Sequence, residues 1–443
     1  MIKLYVNKES DINYLGRIIE IQDYESIPGA DRIKVARVFG FKVVVGNDAE
    51  PGKYVYFPVG SVLNPEMLSF LGLYRKSKYN TDKTKEGDLE FSGRIKGRKF
   101  RGIWSEGYLL RIEEVEQWLG TFDSGTILWA NEFDTLGWQD SGGNHSTWIL
   151  KKFCPKIEPT RGKQRPDMRG NVPERLYRRM IPGQFNFHYE TLQLKYKPGI
   201  IRPDTFLWIT KKVDGTSGIS AKVLVQRKSW EVWKPRRYYA GIYASSSVIK
   251  SKWLNHKAGP GWYGVDIWAE ADKVVGPKLW KGMTAYYEIV GYLPNGEFIQ
   301  KNNDFGCIKP GGDEFEVGKN FRVLLYRITL TSPDGEVHEF TPPQVKEWAE
   351  SVGLESVTLL YEGWAKNLYP ELDPAKHWND NFMDRLSKDF GMEGLDPECK
   401  NEVPLEGLVI RVGNLAYKLK SNFHLERKAA WEESGYQDPE DLA

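Results

Sequence analysis

Lys212-Val213-Asp214-Gly215 stands near the middle of the chain, while Glu406-Gly407-Leu408-Val409-Ile410-Arg411 and Lys418-Leu419-Lys420 stand close to its C-terminus. A lysine amine can attack phosphorus and hold the transferred group as a phosphoramidate. To do so at neutral pH it must be partly deprotonated, which nearby cations favour by destabilising the ammonium form. Lys418 and Lys420 flank Leu419, so on a strand both point to one face while Leu419 packs into the core. Two ammonium groups would then meet one phosphate and neutralise the charge that builds during transfer. Glu288 and Glu406, at the edges of apolar strands, could join Asp214 in holding Mg²⁺, a hard ion that prefers oxygen ligands. The chemistry that suits this set is covalent transfer of a nucleotide through lysine. Each fragment alone is common, since K-x-D-G recurs in exposed turns and K-x-K on exposed strand faces. Their order, each beside an apolar strand, carries the reading.

The elements that must position these residues are legible in the surrounding pattern. Trp208-Ile209-Thr210 reads as a strand delivering Lys212, after which Asp214-Gly215 makes a tight turn. From Pro182 to Phe423 longer β-runs (Ile219–Val225, Met283–Val290, Phe321–Leu330) mix with helices, which predicts an α+β domain built on antiparallel sheet. Helical segments at Gln344–Val352 and Asn379–Phe390 read as an insertion on that scaffold. Between Tyr14 and Ile112, short β-runs such as Arg32–Val38 and Phe41–Val45 alternate with Gly, Pro and Asn turns, which predicts a small all-β domain, expected as a barrel. Residues 113–119 read as a short helix. The predicted organisation is an N-terminal β-domain (1–150), a basic linker (151–181) and a larger C-terminal domain (182–443).

With 443 residues, 40% apolar and 13% aromatic, the chain can bury the cores of two or three domains. Its N-terminus lacks a basic stretch leading into an apolar one, and nowhere do eighteen apolar residues run together, so neither export nor membrane insertion is expected. Three scattered cysteines and six scattered histidines show no metal-ligand spacing, which fits a reducing, cytoplasmic setting without structural zinc. The net charge of +2 conceals clusters: residues 75–104 hold ten Lys/Arg against four acids, and residues 151–180 ten against three. Either segment would suit phosphates, and either would equally serve as solvated surface.

These motifs carry a resemblance. The chain resembles the covalent nucleotidyltransferase superfamily of ATP-dependent polynucleotide ligases and mRNA-capping enzymes, and is most similar to RNA ligases with an N-terminal OB domain. Ile27-Pro28-Gly29-Ala30-Asp31-Arg32-Ile33 in turn resembles the start of tRNA-binding OB modules. The resemblance implies a ligase-type domain of antiparallel sheets and helices preceded by an OB-like barrel. It implies that Lys212 is the lysine adenylylated by ATP and Asp214 its acidic partner. It places Glu288 in a strand motif on the nucleotide or its metal, Glu406 on Mg²⁺ or Mn²⁺, and Lys418 and Lys420 on phosphate. Tyr326 is a candidate to stack on adenine, against the commoner role of a tyrosine packed in a strand. The implied partner is RNA with 3′-OH and 5′-phosphate ends, in a break or a nicked duplex, handled by a monomer.

Departures accompany the match. Where DNA ligases of this superfamily carry arginine two positions after the motif glycine, this chain has Ser217, and the expected downstream Ser-Arg element appears as Ser245-Ser246-Ser247, with Lys250 a candidate substitute. After Lys420 only a short helical tail follows, too short for the C-terminal OB domain of capping enzymes and many DNA ligases, which favours RNA ligase. A DNA ligase or guanylyltransferase with the same lysine chemistry, and a nucleic-acid-binding protein with an inactive transferase domain, remain as alternatives.

Overall fold

The computed structural model describes residues 12–119, 127–128, 138–139, 146–147, 149–153, 179–189, 191–255, 258–259, 261, 263–312 and 314–436. The expected basic linker falls almost wholly outside them.

Two sheets form the C-terminal half. In the first, Phe206–Lys212 lies between Leu359–Trp364 and the hairpin Gly407–Val412/Leu415–Lys420, all antiparallel, and Leu192–Gln193 adds a parallel edge. Alternation decides which side chains face inward. Leu207, Ile209, Leu408, Ile410 and Leu419 are fully buried and pack on the helix Trp378–Asp389 through Phe382 and Leu386. The second sheet runs Arg237–Ser245, Thr216–Gln226, Met283–Gly291, Phe321–Thr331, Val337–Glu339. The helices Ile267–Val275 and Pro342–Ser351 cover one face of it through Trp268, Ala271, Val345 and Trp348. Thr341 and Gln344 close the latter helix's start reciprocally, with Pro342 and Pro343 opening it. The 342–390 region is therefore part of both cores rather than an addition outside them.

The chain crosses from the first sheet to the second between Lys212 and Thr216. Val213, in that crossing, packs with Val290, Phe305, Leu324 and Val357 in a small cluster. Gly215 is fixed by close approach, because a Cβ there would lie 2.8 Å from the Ile289 carbonyl oxygen.

The N-terminal residues form an all-β unit with two short helices, Pro65–Leu71 and Ile112–Leu119. Among the described residues its strands do not close into the expected barrel. The hairpin Ile33–Val38/Phe41–Gly46 belongs to one sheet, and Gly16–Ile21, Gly52–Phe57 and Tyr108–Arg111 to another. Isolated bonds instead of a ladder hold that hairpin against the end of the strand Ile103–Ser105, which pairs with Arg98–Phe100 in a sheet of its own: Glu106 N–H donates to the Lys42 carbonyl (2.7 Å) and Val44 N–H to Ser105 Oγ (3.0 Å). Leu150–Lys152 pairs with Ser61–Leu63, so strand pairing continues past the boundary expected at residue 150.

Ion pairs dock this unit on the C-terminal half. Lys42 meets Asp384 at 2.8 Å, Lys99 meets Glu393 at 2.6 Å, Lys96 meets Glu433 at 2.7 Å, and Arg94 pairs with Glu432 in a buried contact. Several cations of the 75–104 cluster, expected either on phosphates or as solvated surface, are thus spent on domain docking. Among the described residues no helix is long and apolar enough to cross a membrane.

Candidate active site

Lys212 ends its strand with its amine 2.8 Å from Glu406 Oε1. Its neighbour Lys211, on the opposite face by alternation, is buried between Asp396 (2.6 Å) and Glu398 (2.9 Å). The Lys211 amine is thus clamped by two carboxylates in the interior, while Lys212 lines a cleft of about 1090 Å³ and meets Glu406.

Glu406 sits opposite because Gly407 pairs with Lys212 across the ladder. Gly407 has φ 152°, and a Cβ there would lie 2.1 Å from the Leu419 carbonyl oxygen, so glycine alone permits this approach of the hairpin. Lys420, at the end of the partner strand, brings its amine to 3.2 Å from the same Oε1. Burial works against a charge on Glu406, but Lys212 and Lys420 outweigh it and hold the carboxyl well below its ordinary range. Its other oxygen, Oε2, is buried without a hydrogen-bond partner among the described residues. Lys418 lines the same cleft, with Leu419 between the two lysines fully buried.

Asp214 is held by Asn303, whose Nδ2 donates to Oδ2 at 2.7 Å and to the Asp214 carbonyl at 3.2 Å. Gln300 Nε2 fixes the next carbonyl, that of Gly215, at 3.1 Å. On the other side His424 Nδ1 lies 4.0 Å from Asp214 Oδ2. His424 belongs to the helix Asn422–Glu433, whose cap is Ser421, immediately after Lys420, so the site lysine and this imidazole arrive on consecutive elements. Burial pushes the His424 imidazole down to about 3, so it is neutral at physiological pH.

One ligand atom each from Asp214, Glu406 and His424 lies within 4.8 Å of the others. Two carboxylates, one with an orphaned buried oxygen, and a neutral imidazole fit a divalent cation, and the nitrogen donor suits Mn²⁺ better than Mg²⁺. Glu288 does not converge with this group. It pairs in register with Ser217 and lines the cleft, as Tyr326 does. Tyr326 is half-buried, its hydroxyl 3.2 Å from Ser217 Oγ; burial, and then the Glu288 charge, push its phenol up, so it stays protonated. Ser246 and Ser247 line the cleft. Lys250 is buried, its amine 4.0 Å from the Trp268 ring centroid and outside the cleft lining, a placement that does not put it in the missing arginine's role.

Sequence reasoning missed His424, Asn303 and Gln300. His424 was legible only as the fourth residue after Lys420, on a helix whose Ser421 cap is itself a recognisable signal. Asn303 and Gln300 sit in a loop with no periodic pattern, and nothing in the sequence marks them.

No protein-family model matches the chain, and no curated protein is similar to it in sequence. Its fold is similar to that of Naegleria gruberi RNA ligase. Two mutant forms solved with ATP and Mn align with TM-scores of 0.54 and 0.51, and a form solved with PPi aligns with 0.52. Each is 15% identical, and the alignments cover 93–94% of this chain and 98–99% of the other.

Proposed function

We propose that this protein is an ATP-dependent RNA ligase with Lys212 as the nucleophile. The observation that carries the reading is the Lys212–Glu406–Lys420 contact, where one buried carboxylate oxygen receives the amines of two cleft-lining lysines. Lys212 gives its proton to solvent and the neutral amine attacks the α-phosphate of ATP; the phosphorus–oxygen bond to pyrophosphate breaks, pyrophosphate leaves and lysyl-AMP forms. The competing ammonium of Lys420 on the same oxygen favours the neutral amine on Lys212. Lys418 and Lys420 then face the phosphate whose negative charge grows during transfer. Tyr326 and Glu288 line the nucleotide side of the cleft, with the Tyr326 ring available to the base. Asp214, Glu406 and His424 would hold a divalent ion, which supplies charge neutralisation at the phosphates when bound. AMP passes next to an RNA 5′-phosphate, and a 3′-OH displaces it to seal the strand. The similarity in fold to an RNA ligase supports this reading, and the N-terminal unit, with cleft residues such as Arg75 and Lys152, suits the RNA backbone.

The test is incubation with Mn²⁺ or Mg²⁺ and α-labelled ATP or GTP, followed by denaturing electrophoresis. Acid-labile label from ATP that disappears in Lys212→Ala is the expected result. Label from GTP points to capping, and none from either to an inactive binding protein. Nicked duplex and single-stranded RNA with 5′-phosphate ends, assayed side by side, then identify the substrate.

A further inference from the structure

The loop joining Thr216–Gln226 to Arg237–Ser245 exposes what proteins usually bury. Trp230, Val232 and Trp233 are 60%, 70% and 67% exposed, and the two indoles lie 5.6 Å apart. The sequence from Arg227 to Arg237, the first residue of the second strand, holds Arg227, Lys228, Lys234, Arg236 and Arg237 against a single acid, Glu231.

That acid is turned inward. Glu231 is buried and accepts from the Lys228 backbone N–H at 2.7 Å, from Lys234 Nζ at 2.8 Å and from Arg179 Nη2 at 3.2 Å. Arg227 Nη1 donates to the carbonyls of Val232 (2.8 Å) and Lys234 (2.6 Å). The loop is thus tied by its own polar groups, and the tryptophans project from a fixed base. No ion pair among the described residues engages Lys228, Arg236 or Arg237, and all three are exposed. Cations and rings alternate across the surface. Lys228 lies 5.3 Å from the Trp230 centroid, Lys234 5.0 Å from Tyr238, and Arg179 5.3 Å from Trp253, itself 39% exposed.

We infer that this loop is a binding platform for single-stranded nucleic acid, its indoles stacking on unpaired bases and its cations tracking phosphates. A rigid aromatic pair in an uncompensated positive field is the combination that captures a strand whose bases are free. Thr216–Gln226 carries Ser217 beside the cleft at one end and this loop at the other, about 30 Å away at strand rise. The platform therefore holds RNA remote from the reacting ends, and it extends the RNA ligase reading without depending on the lysine chemistry.

The experiment compares full-length wild type with Trp230→Ala/Trp233→Ala, using a fluorescent single-stranded RNA of about 16 nucleotides and the matching blunt duplex. Because both indoles are exposed, the variant should unfold at the wild-type urea midpoint and label Lys212 with ATP equally. The expected result is single-strand affinity weakened roughly tenfold or more, duplex affinity within about twofold, and sealing of single-stranded ends with raised KM at unchanged kcat. Replacing Lys228, Arg236 and Arg237 by Ala should lower the salt dependence of single-strand binding by about two phosphates' worth of slope. Unchanged single-strand affinity in the tryptophan variant overturns the inference. So does a loss confined to binding of phosphatidylserine vesicles, which would make the loop a membrane contact. If ATP labels nothing but the variant still loses single-strand affinity, the ligase reading fails and the platform stands.

Discussion

Replacing Glu406 by Gln keeps the side chain's shape and removes its charge. The carboxylate is 2% exposed and takes Lys212 at 2.8 Å and Lys420 at 3.2 Å on one oxygen. At an effective dielectric of about 20, each contact amounts to roughly 5–6 kcal/mol of gross attraction, offset by a desolvation cost of several kcal/mol per ion. Glutamine leaves two ammonium groups across a neutral amide, so the expected loss of stability is about 3–5 kcal/mol, as for removing one partner of a buried pair. Urea unfolding at neutral pH in EDTA measures it. The sign with pH follows from the depressed carboxyl: its stabilisation is present above the unfolded value of about 4.3 and is lost as pH falls below that. The difference between wild type and Glu406→Gln should therefore shrink below about pH 4. Lys420→Met, made in both backgrounds, completes a cycle; sharing one oxygen requires a coupling of at least about 1 kcal/mol. Labelling by ATP should fall roughly 10²-fold as Lys212 loses its anchor. Additivity within about 0.3 kcal/mol, or labelling at the wild-type rate, would refute the shared-oxygen arrangement.

Lys211→Met and Lys212→Met should separate structure from chemistry. The first leaves buried Asp396 without its charge partner and costs about 3 kcal/mol or more in urea unfolding while the protein still labels with ATP; the second abolishes labelling. His424, held neutral by burial with its pKa down to about 3, takes up a proton on unfolding at any pH between that value and about 6.5. Stability is consequently lost as pH falls through this window, by up to about 1.4 kcal/mol per unit, and His424→Asn should flatten that slope in EDTA. Arg94→Ala leaves Glu432 buried without its charge partner, so a loss of about 3 kcal/mol is expected. Faster protease cleavage within residues 75–104 should accompany it, because that pair docks the N-terminal unit.

Strand periodicity made much of this legible. Phe321–Leu330 and Met283–Val290 lie within one residue of the strands observed, and the helix expected at Asn379–Phe390 forms at Trp378–Asp389. The two strands are read correctly because burial on both faces leaves a continuous apolar run bounded by turn residues, and the helix because burial on one face leaves a period. The barrel expected at the N-terminus is different in kind. Closure depends on which strand edges meet, and isolated bonds at Ser105 and Glu106, not a pattern, join that hairpin to its neighbour. Charge was ambiguous for a related reason: Lys96 and Lys99 could suit phosphates or solvent by sequence, and the fold brings Glu433 and Glu393 against them from more than 290 residues away.

The site shows the same division. Lys212, Glu406 and Lys420 were found because each ends an apolar strand, and strand pairing converts that sequence position into proximity: Lys212 opposite Gly407, and Gly407 opposite Lys420. Gly407 thus stands between the two lysine-bearing strands, which is why Glu406, its neighbour in sequence, can serve both amines. Glu288 ends no such pairing with them. It lies across from Ser217 on the second sheet, beyond the Lys212–Thr216 crossing, and so stands apart while His424 takes the third place beside Asp214 and Glu406. Where a carboxylate lands here follows from which sheet carries it, and that is set by the crossing rather than by the residue type.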